Sequence, residues 1–204
     1  MSGLTSKARD TKAHLLDCGL TLFAKKGYSA TSVRDIIQLA EITQPTLYYH
    51  FTDKADLFTK LVQLHYGQTQ QRLIAAIDSA TSTHERLMAI AVGSFEFCNQ
   101  DPRVPRLMFQ TYFGPSIPEI SRILKTLTKQ RFHLVVGVMK NGIESEDLRS
   151  HDPDFLALAY CCLIDQPINL FSRKRNPKKF LTVELASALV KQFLCGSSDK
   201  LQFS

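Results

Sequence analysis

The chain has 204 residues, a formal net charge of +6 and 44% hydrophobic residues. That composition suits a folded globular protein and excludes a disordered or collagen-like one, and the length fits one core or a small domain joined to a larger one. The positive excess is compatible with a polyanionic partner such as nucleic acid, without requiring one.

The first twelve residues are polar and charged, with no apolar stretch of leader length. No segment reads as the uninterrupted apolar run of a membrane span. A soluble, cytoplasmic protein with no membrane partner is therefore expected. The 5 cysteines are odd in number and form no Cys-x-x-Cys pair, which points to free thiols in a reducing compartment.

Helical periodicity recurs along the whole chain and strand signals are weak, so an all-α fold is expected. The first helix runs from about Lys7 to Lys26, with Leu16, Leu20 and Phe23 on one stripe. Lys25, Lys26 and Gly27 close it: cations in the last turn, then glycine. Thr31 or Ser32 caps a short second helix whose buried face is Val33, Ile36, Ile37 and Ala40. Glu41 and Ile42 make a tight connection. Thr43 or Gln44 caps a third helix, with Pro45 near its first position and Leu47 and Phe51 pointing inward. Asp53 caps a long fourth helix and Asp56 adds an anion to its first turn.

Beyond Ala80, one helix holds Leu87, Ile90, Ala91, Phe95 and Cys98 and ends at Asp101-Pro102. A short apolar helix follows through Leu107 to Phe113, then a break at Gly114–Pro118. Ile120 to Met139 outline a long helix, stopped by Asn141-Gly142. Asp152-Pro153 opens the next, which carries an internal Pro167 expected to kink it. A last helix spans about Thr182 to Leu194, closed by Gly196, and residues 197–204 read as a flexible tail.

Thr31 to Lys54, TSVRDIIQLAEITQPTLYYHFTDK, hold the strongest signal. Two short helices joined by a tight turn form a helix-turn-helix layout. With Leu47 and Phe51 inward, Gln44, Pro45, Thr46, Tyr48, Tyr49 and His50 surround an exposed helix. An ordinary surface helix would carry Lys and Glu there; hydrogen-bonding and aromatic residues suit a major-groove reader.

This segment resembles the tetracycline-repressor (TetR) family. The likeness rests on Phe-Ala-x-x-Gly-Tyr at Phe23–Tyr28, on Thr31-Ser32-Val33-Arg34-Asp35-Ile36, on Thr-Leu-Tyr-Tyr-His-Phe at Thr46–Phe51, and on Lys54, at matching spacings. Glu41 departs from it, standing where the family usually has glycine in the turn. A left-handed backbone there would cost about 1 kcal/mol or more.

The resemblance implies a bacterial homodimer that regulates transcription from a near-palindromic double-stranded DNA operator, most simply a repressor released by a small-molecule effector. It implies a helix-turn-helix DNA-binding domain over residues 1–54 and a larger helical ligand-binding and dimerisation domain over 55–196. Carried over residue by residue, Arg34, Gln44 and Pro45 contact bases. Thr31, Ser32, Thr46, Tyr48, Tyr49, His50 and Lys54 contact phosphates. Other readings stay open: Tyr48 packed on the first helix, His50 supporting the turn, and Arg34 salt-bridged to Asp35 or Glu41.

In the second domain, Phe95, Phe97, Cys98, Met108, Phe109, Phe113, Phe132 and Met139 form an aromatic and methionine-rich set, with Tyr112, His133, Tyr160, Gln166 and Asn169 as candidate polar anchors for a largely apolar effector. Ordinary core packing explains most of that set equally well. Apolar faces at Leu163, Ile164 and Ile168, then at Leu185, Leu189 and Phe193, suggest two helices of a four-helix dimer interface. The run Arg173-Lys174-Arg175 with Lys178-Lys179 reads as a helix end and solvated loop. No glycine-rich phosphate loop and no histidine pair with metal-ligand spacing occurs, so neither catalysis nor a metal or cofactor is expected. The competing function class is a helical small-molecule- or partner-binding protein whose helix-turn-helix does not act on DNA.

Overall fold

A computed structural model describes residues 2–113, 118–173 and 180–197, without the side chains of residues 2–8, 113, 119 and 197. The described residues form helices only. In chain order these are α1 (Ser2–Lys26), α2 (Val33–Ala40), α3 (Gln44–His50), α4 (Lys54–Ser79), α5 (Thr83–Gln100), α6 (Arg103–Phe113), α7 (Pro118–Glu144), α8 (Pro153–Arg173) and α9 (Val183–Ser197). The calls at residues 114–117, 174–179 and 198–204 lie outside the described residues, as does the side chain of Phe113.

The chain forms two compact units, Met1–His65 with Arg103–Leu124, and Tyr66–Pro102 with Lys125–Ser204. This differs from a division at residue 54, for a physical reason. Leu57, Phe58 and Leu61 of α4 are buried in the first unit's core together with Leu15, Leu20 and Phe23 of α1. The later helix α6 also joins it: Arg103 donates from Nη2 to Asp17 Oδ1 at 2.7 Å and from Nη1 to Thr21 Oγ1 at 2.7 Å. Gln110 Nε2 donates to the Ala24 carbonyl at 3.3 Å.

Local chemistry sets the helix ends. Gly27 takes a left-handed φ of 82° and returns its N–H to the Phe23 carbonyl at 2.8 Å, closing α1. Ser32 caps α2, and Asp35 reaches back to the Ser32 N–H at 2.9 Å, a reciprocal pair that satisfies two orphan donors. At the other end of α2, the Glu41 N–H bonds the Gln38 carbonyl and the Ile42 N–H bonds the Ile37 carbonyl. This closure requires a left-handed residue, and Glu41 takes it, at φ 52° and ψ 41°.

Two expected stops fail. The long helix α7 continues past Gly142 to Glu144, because Gly142 serves packing rather than termination. A Cβ there would stand 2.8 Å from both Leu148 Cδ1 and Thr83 Cγ2. Likewise α9 runs through Gly196 to Ser197.

In the second unit, Leu87, Ile90, Phe95, Val135, Met139, Leu156, Tyr160 and Ile164 are buried. Contrary to expectation, α8 is long and apolar enough by composition to cross a membrane. It nevertheless carries Asp165, paired with Arg131, and buries Tyr160 and Phe171 within the protein, as a core helix does.

Replacing Glu41 with glycine relieves the left-handed strain. Urea unfolding is expected to show Glu41→Gly more stable by about 1 kcal/mol. Asp35 is the second test. Bonds from the Ser32 N–H and hydroxyl, then from Lys26, lower its pKa to about 2. Since the folded value lies below the unfolded one, its contribution is complete above pH about 4 and is lost as pH falls toward 2. Asp35→Asn should flatten the dependence of stability on pH across that window.

Candidate nucleic-acid interface

Seven residues make α3 too short to stand alone. Leu47 and Phe51, each 1% exposed, anchor it. That anchoring turns the remaining side chains outward. Gln44 and Pro45 are exposed, Tyr48 is 46% exposed and Tyr49 79%. The Thr46 hydroxyl is within 2.8 Å of the Thr43 hydroxyl, so the two threonines tie the first turn together. The His50 ring meets Tyr49 edge-on, 4.9 Å between centroids, and is half-buried.

On α2, Arg34 is exposed. The open alternative, an ion pair with Asp35 or Glu41, is not formed. Asp35 is committed to Ser32 and to Lys26 Nζ at 3.2 Å. Arg34 and Gln44 are thus both presented with their hydrogen-bonding groups outward.

Two residues assigned to phosphate contact are engaged within the protein. Thr31 is 1% exposed, and its hydroxyl donates to the Gly27 carbonyl at 2.8 Å. It belongs to the fold. Lys54 is half-buried: its Nζ donates to the carbonyls of Tyr28 and Thr31, each at 2.9 Å, and stands 4.2 Å from the centre of the Tyr28 ring. Tyr28 in turn meets Phe58 at 5.1 Å, and Phe58 meets Phe23 at 4.9 Å, both edge-on. Lys54 therefore pins the loop before α2 to the start of α4. A carbonyl ligand set 23 and 26 residues away left no signal in the sequence. Ser32 remains exposed, although its hydroxyl is engaged in the cap.

The residues assigned to an effector pocket fall in both units. Met108, Phe109 and Tyr112 belong to the first, with Tyr112 58% exposed. Among those in the second, Phe95, Cys98 and Met139 are buried, Phe132 and Asn169 are half-buried, and His133 and Gln166 are exposed. Tyr160 is fully buried, donates its hydroxyl to the Leu87 carbonyl and packs edge-on against Phe193 at 5.1 Å. Its polar end is engaged within the protein. Burial pushes the Cys98 thiol up to about 12 and Cys161 to about 11, keeping both protonated.

Sequence reasoning missed the main polar feature of this unit. Arg131 of α7 grips Asp165 of α8 in two parallel bonds, Nη2 to Oδ1 at 2.6 Å and Nη1 to Oδ2 at 3.0 Å. Thirty-four residues separate the two, so no local pattern links them.

A short helix anchored by two apolar side chains, preceded by a capped partner helix and presenting a polar, aromatic face, defines a DNA-binding helix-turn-helix regulator. Residues 15–61 match the family model of bacterial regulatory proteins of the tetR family. The transcriptional repressor KstR2 of Mycolicibacterium smegmatis is 33% identical over 145 residues, 71% of this chain and 70% of that protein. The transcriptional activator FasR of Mycolicibacterium smegmatis is 26% identical over 178 residues, 84% and 81% of the two chains. The crystal structure of the transcriptional regulator FadR from Bacillus subtilis in complex with stearoyl-CoA superposes with a TM-score of 0.79 at 20% identity, covering 90% of this chain and 98% of that one. The chain belongs to the tetR family of transcriptional regulators.

Removing a phosphate-gripping lysine lowers the slope of log affinity against log salt by about 1. Lys54→Met is expected to leave that slope unchanged while lowering stability by about 1.5–3 kcal/mol through the lost charge-assisted bonds. Anisotropy titrations at several salt concentrations, with urea unfolding, measure both.

Proposed function

We propose that the protein is a homodimeric repressor that holds a near-palindromic operator and releases it when a largely apolar small molecule occupies the second unit. The observation that carries this reading is the outward set on α2 and α3. Arg34 has the donor fork for guanine, Gln44 the amide for adenine, and Pro45 an apolar edge for a thymine methyl. Ser32, Thr46, Tyr48, Tyr49 and His50 border them and suit phosphate oxygens. Acting on DNA, such a protein works in the bacterial cytoplasm, and it needs neither a catalytic group nor a cofactor for this role.

A dimer presents two recognition helices to two half-sites. Its proposed interface uses α8 and α9, with a change of residues. Ile164, Ile168 and Phe193 are buried in their own unit, and Leu163, Leu185 and Leu189 are half-buried. The exposed apolar residues are instead Phe155 at 63%, Leu158 at 55%, Leu170 at 49% and Val183 at 53%. Along α8, Phe155, Leu158, Cys162 and Leu170 fall on one stripe of a 3.6-residue period. Four large apolar side chains left in water favour burial against a second copy.

The effector is proposed to be mainly apolar because the second unit's interior is so, and because the FadR relative is described with stearoyl-CoA. Activation is the second reading, favoured by one observation: the FasR relative is named an activator. Which outcome follows depends on where the operator lies relative to the promoter.

Selecting bound duplexes from random DNA tests the proposal. Paired half-sites about 34–36 Å apart, or a multiple, are expected. Arg34→Ala and Gln44→Ala should each relax one position of the half-site by about 1–3 kcal/mol. Sites without two-fold symmetry, or affinity indifferent to salt, overturn the proposal. Phe155→Asp with Leu158→Asp should yield monomers in analytical ultracentrifugation and lose the paired-site affinity.

A further inference from the structure

We propose that Arg131 is the headgroup site of an anionic amphiphilic effector, and that the effector's acid group displaces Asp165 from the guanidinium. The proposal rests on the reading of the second unit as the effector-binding part and adds the chemical class of the ligand and the event it triggers.

Four observations support it. First, the pair is bidentate, so the guanidinium is held in the planar orientation that suits a carboxylate or phosphate. Second, a guanidinium has five N–H donors, and Asp165 takes two; among the described residues no other hydrogen-bond partner of Arg131 is found. Third, the side chains of Arg131 and Asp165 keep 29% and 33% of their exposure. An incoming anion can therefore reach the cation, and a displaced carboxylate can hydrate. Fourth, the positions one turn away are mostly apolar or small, Leu127, Leu134 and Val135 on α7 and Cys161, Cys162 and Ile168 on α8, with Thr128 and Asn169 as the polar exceptions. A charged head beside such positions suits a molecule with an acid at one end and a hydrocarbon chain behind it.

The exchange also has a mechanical result. The Arg131–Asp165 pair ties α7 to α8 through two hydrogen bonds. Exchanging one anion for another leaves the guanidinium neutralised, so the cost of a stranded buried charge is avoided. What is lost is the tie itself. Helix α7 is continuous from Pro118 to Glu144, and its residues up to Leu124 group with the DNA-binding unit. Freeing α7 from α8 therefore acts on a helix whose other end is part of that unit.

Dodecanoate, dodecanoyl-CoA and dodecanol separate the sources of the headgroup. Calorimetry of the full-length protein gives binding, and fluorescence anisotropy of labelled operator gives release. At least one of the two anions should bind ten-fold or more tightly than dodecanol and release the operator; which one identifies carboxylate or phosphate. Asp165→Asn, which frees Arg131, should tighten that anion about ten-fold. The paired variant Arg131→Met with Asp165→Leu keeps the helices packed by apolar contact and should abolish the preference for the anion. Equal binding of dodecanol, no binding of either anion, or a preference surviving in the paired variant overturns the proposal. Operator affinity without any ligand, measured in the same titrations, tests the DNA-binding reading separately.

Discussion

The burial of Leu47 and Phe51 is the constraint on which the DNA-reading surface depends. Helix α3 has too few residues to form by itself, so its existence follows from those two side chains entering the core of the first unit. Once they are inside, helical geometry leaves Gln44, Pro45, Tyr48 and Tyr49 no direction but outward. The residues that anchor the helix and those it turns outward are therefore different positions of one short segment. A change at the two anchors would remove the helix and the surface together.

Around this anchor the first unit is fastened by polar links of a kind that helical bundles use sparingly. Lys54 satisfies two loop carbonyls, Asp35 closes the cap of α2, and Arg103 ties α6 to α1. Lys54 and Asp35 satisfy backbone groups of a loop and a helix end, which lack intrahelical partners, and Arg103 bonds side chains of α1. The position of α6 is the most consequential. By sequence order it lies between α5 and α7, within the half expected to bind the effector, yet Arg103 and Gln110 bond to α1. An effector that perturbs α6 or α7 would thus act on elements already shared with the DNA-binding helices.

What could be read from sequence alone divides along the range of the interactions. The helix-turn-helix was legible because its signals are local: caps at Ser32 and Asp53, a closing glycine at Gly27, and an apolar period through Ile36, Ala40, Leu47 and Phe51. Even Glu41 was flagged correctly as a residue in a turn that favours glycine. The role of Lys54 was not legible, because its partners are loop carbonyls more than twenty residues away. Nor was the Arg131–Asp165 pair, whose members sit on different helices. The sequence could not separate core packing from a pocket role at Tyr160 or an interface role at Ile168, for one reason. An apolar or aromatic residue at helical spacing looks the same whether it faces the core, a ligand or another protomer, and only the fold distinguishes them.

Gly19 of α1 has a mechanical corollary. A single added carbon there would come within 2.6 Å of Leu57 Cδ2 on α4, so α1 and α4 touch with no slack at that point. Helix α1 is in contact with α4 on this side and is hydrogen-bonded to α6 through Asp17 and Thr21. A larger residue at position 19 would press on Leu57, so the small size of Gly19 sets how closely α1 and α4 approach there.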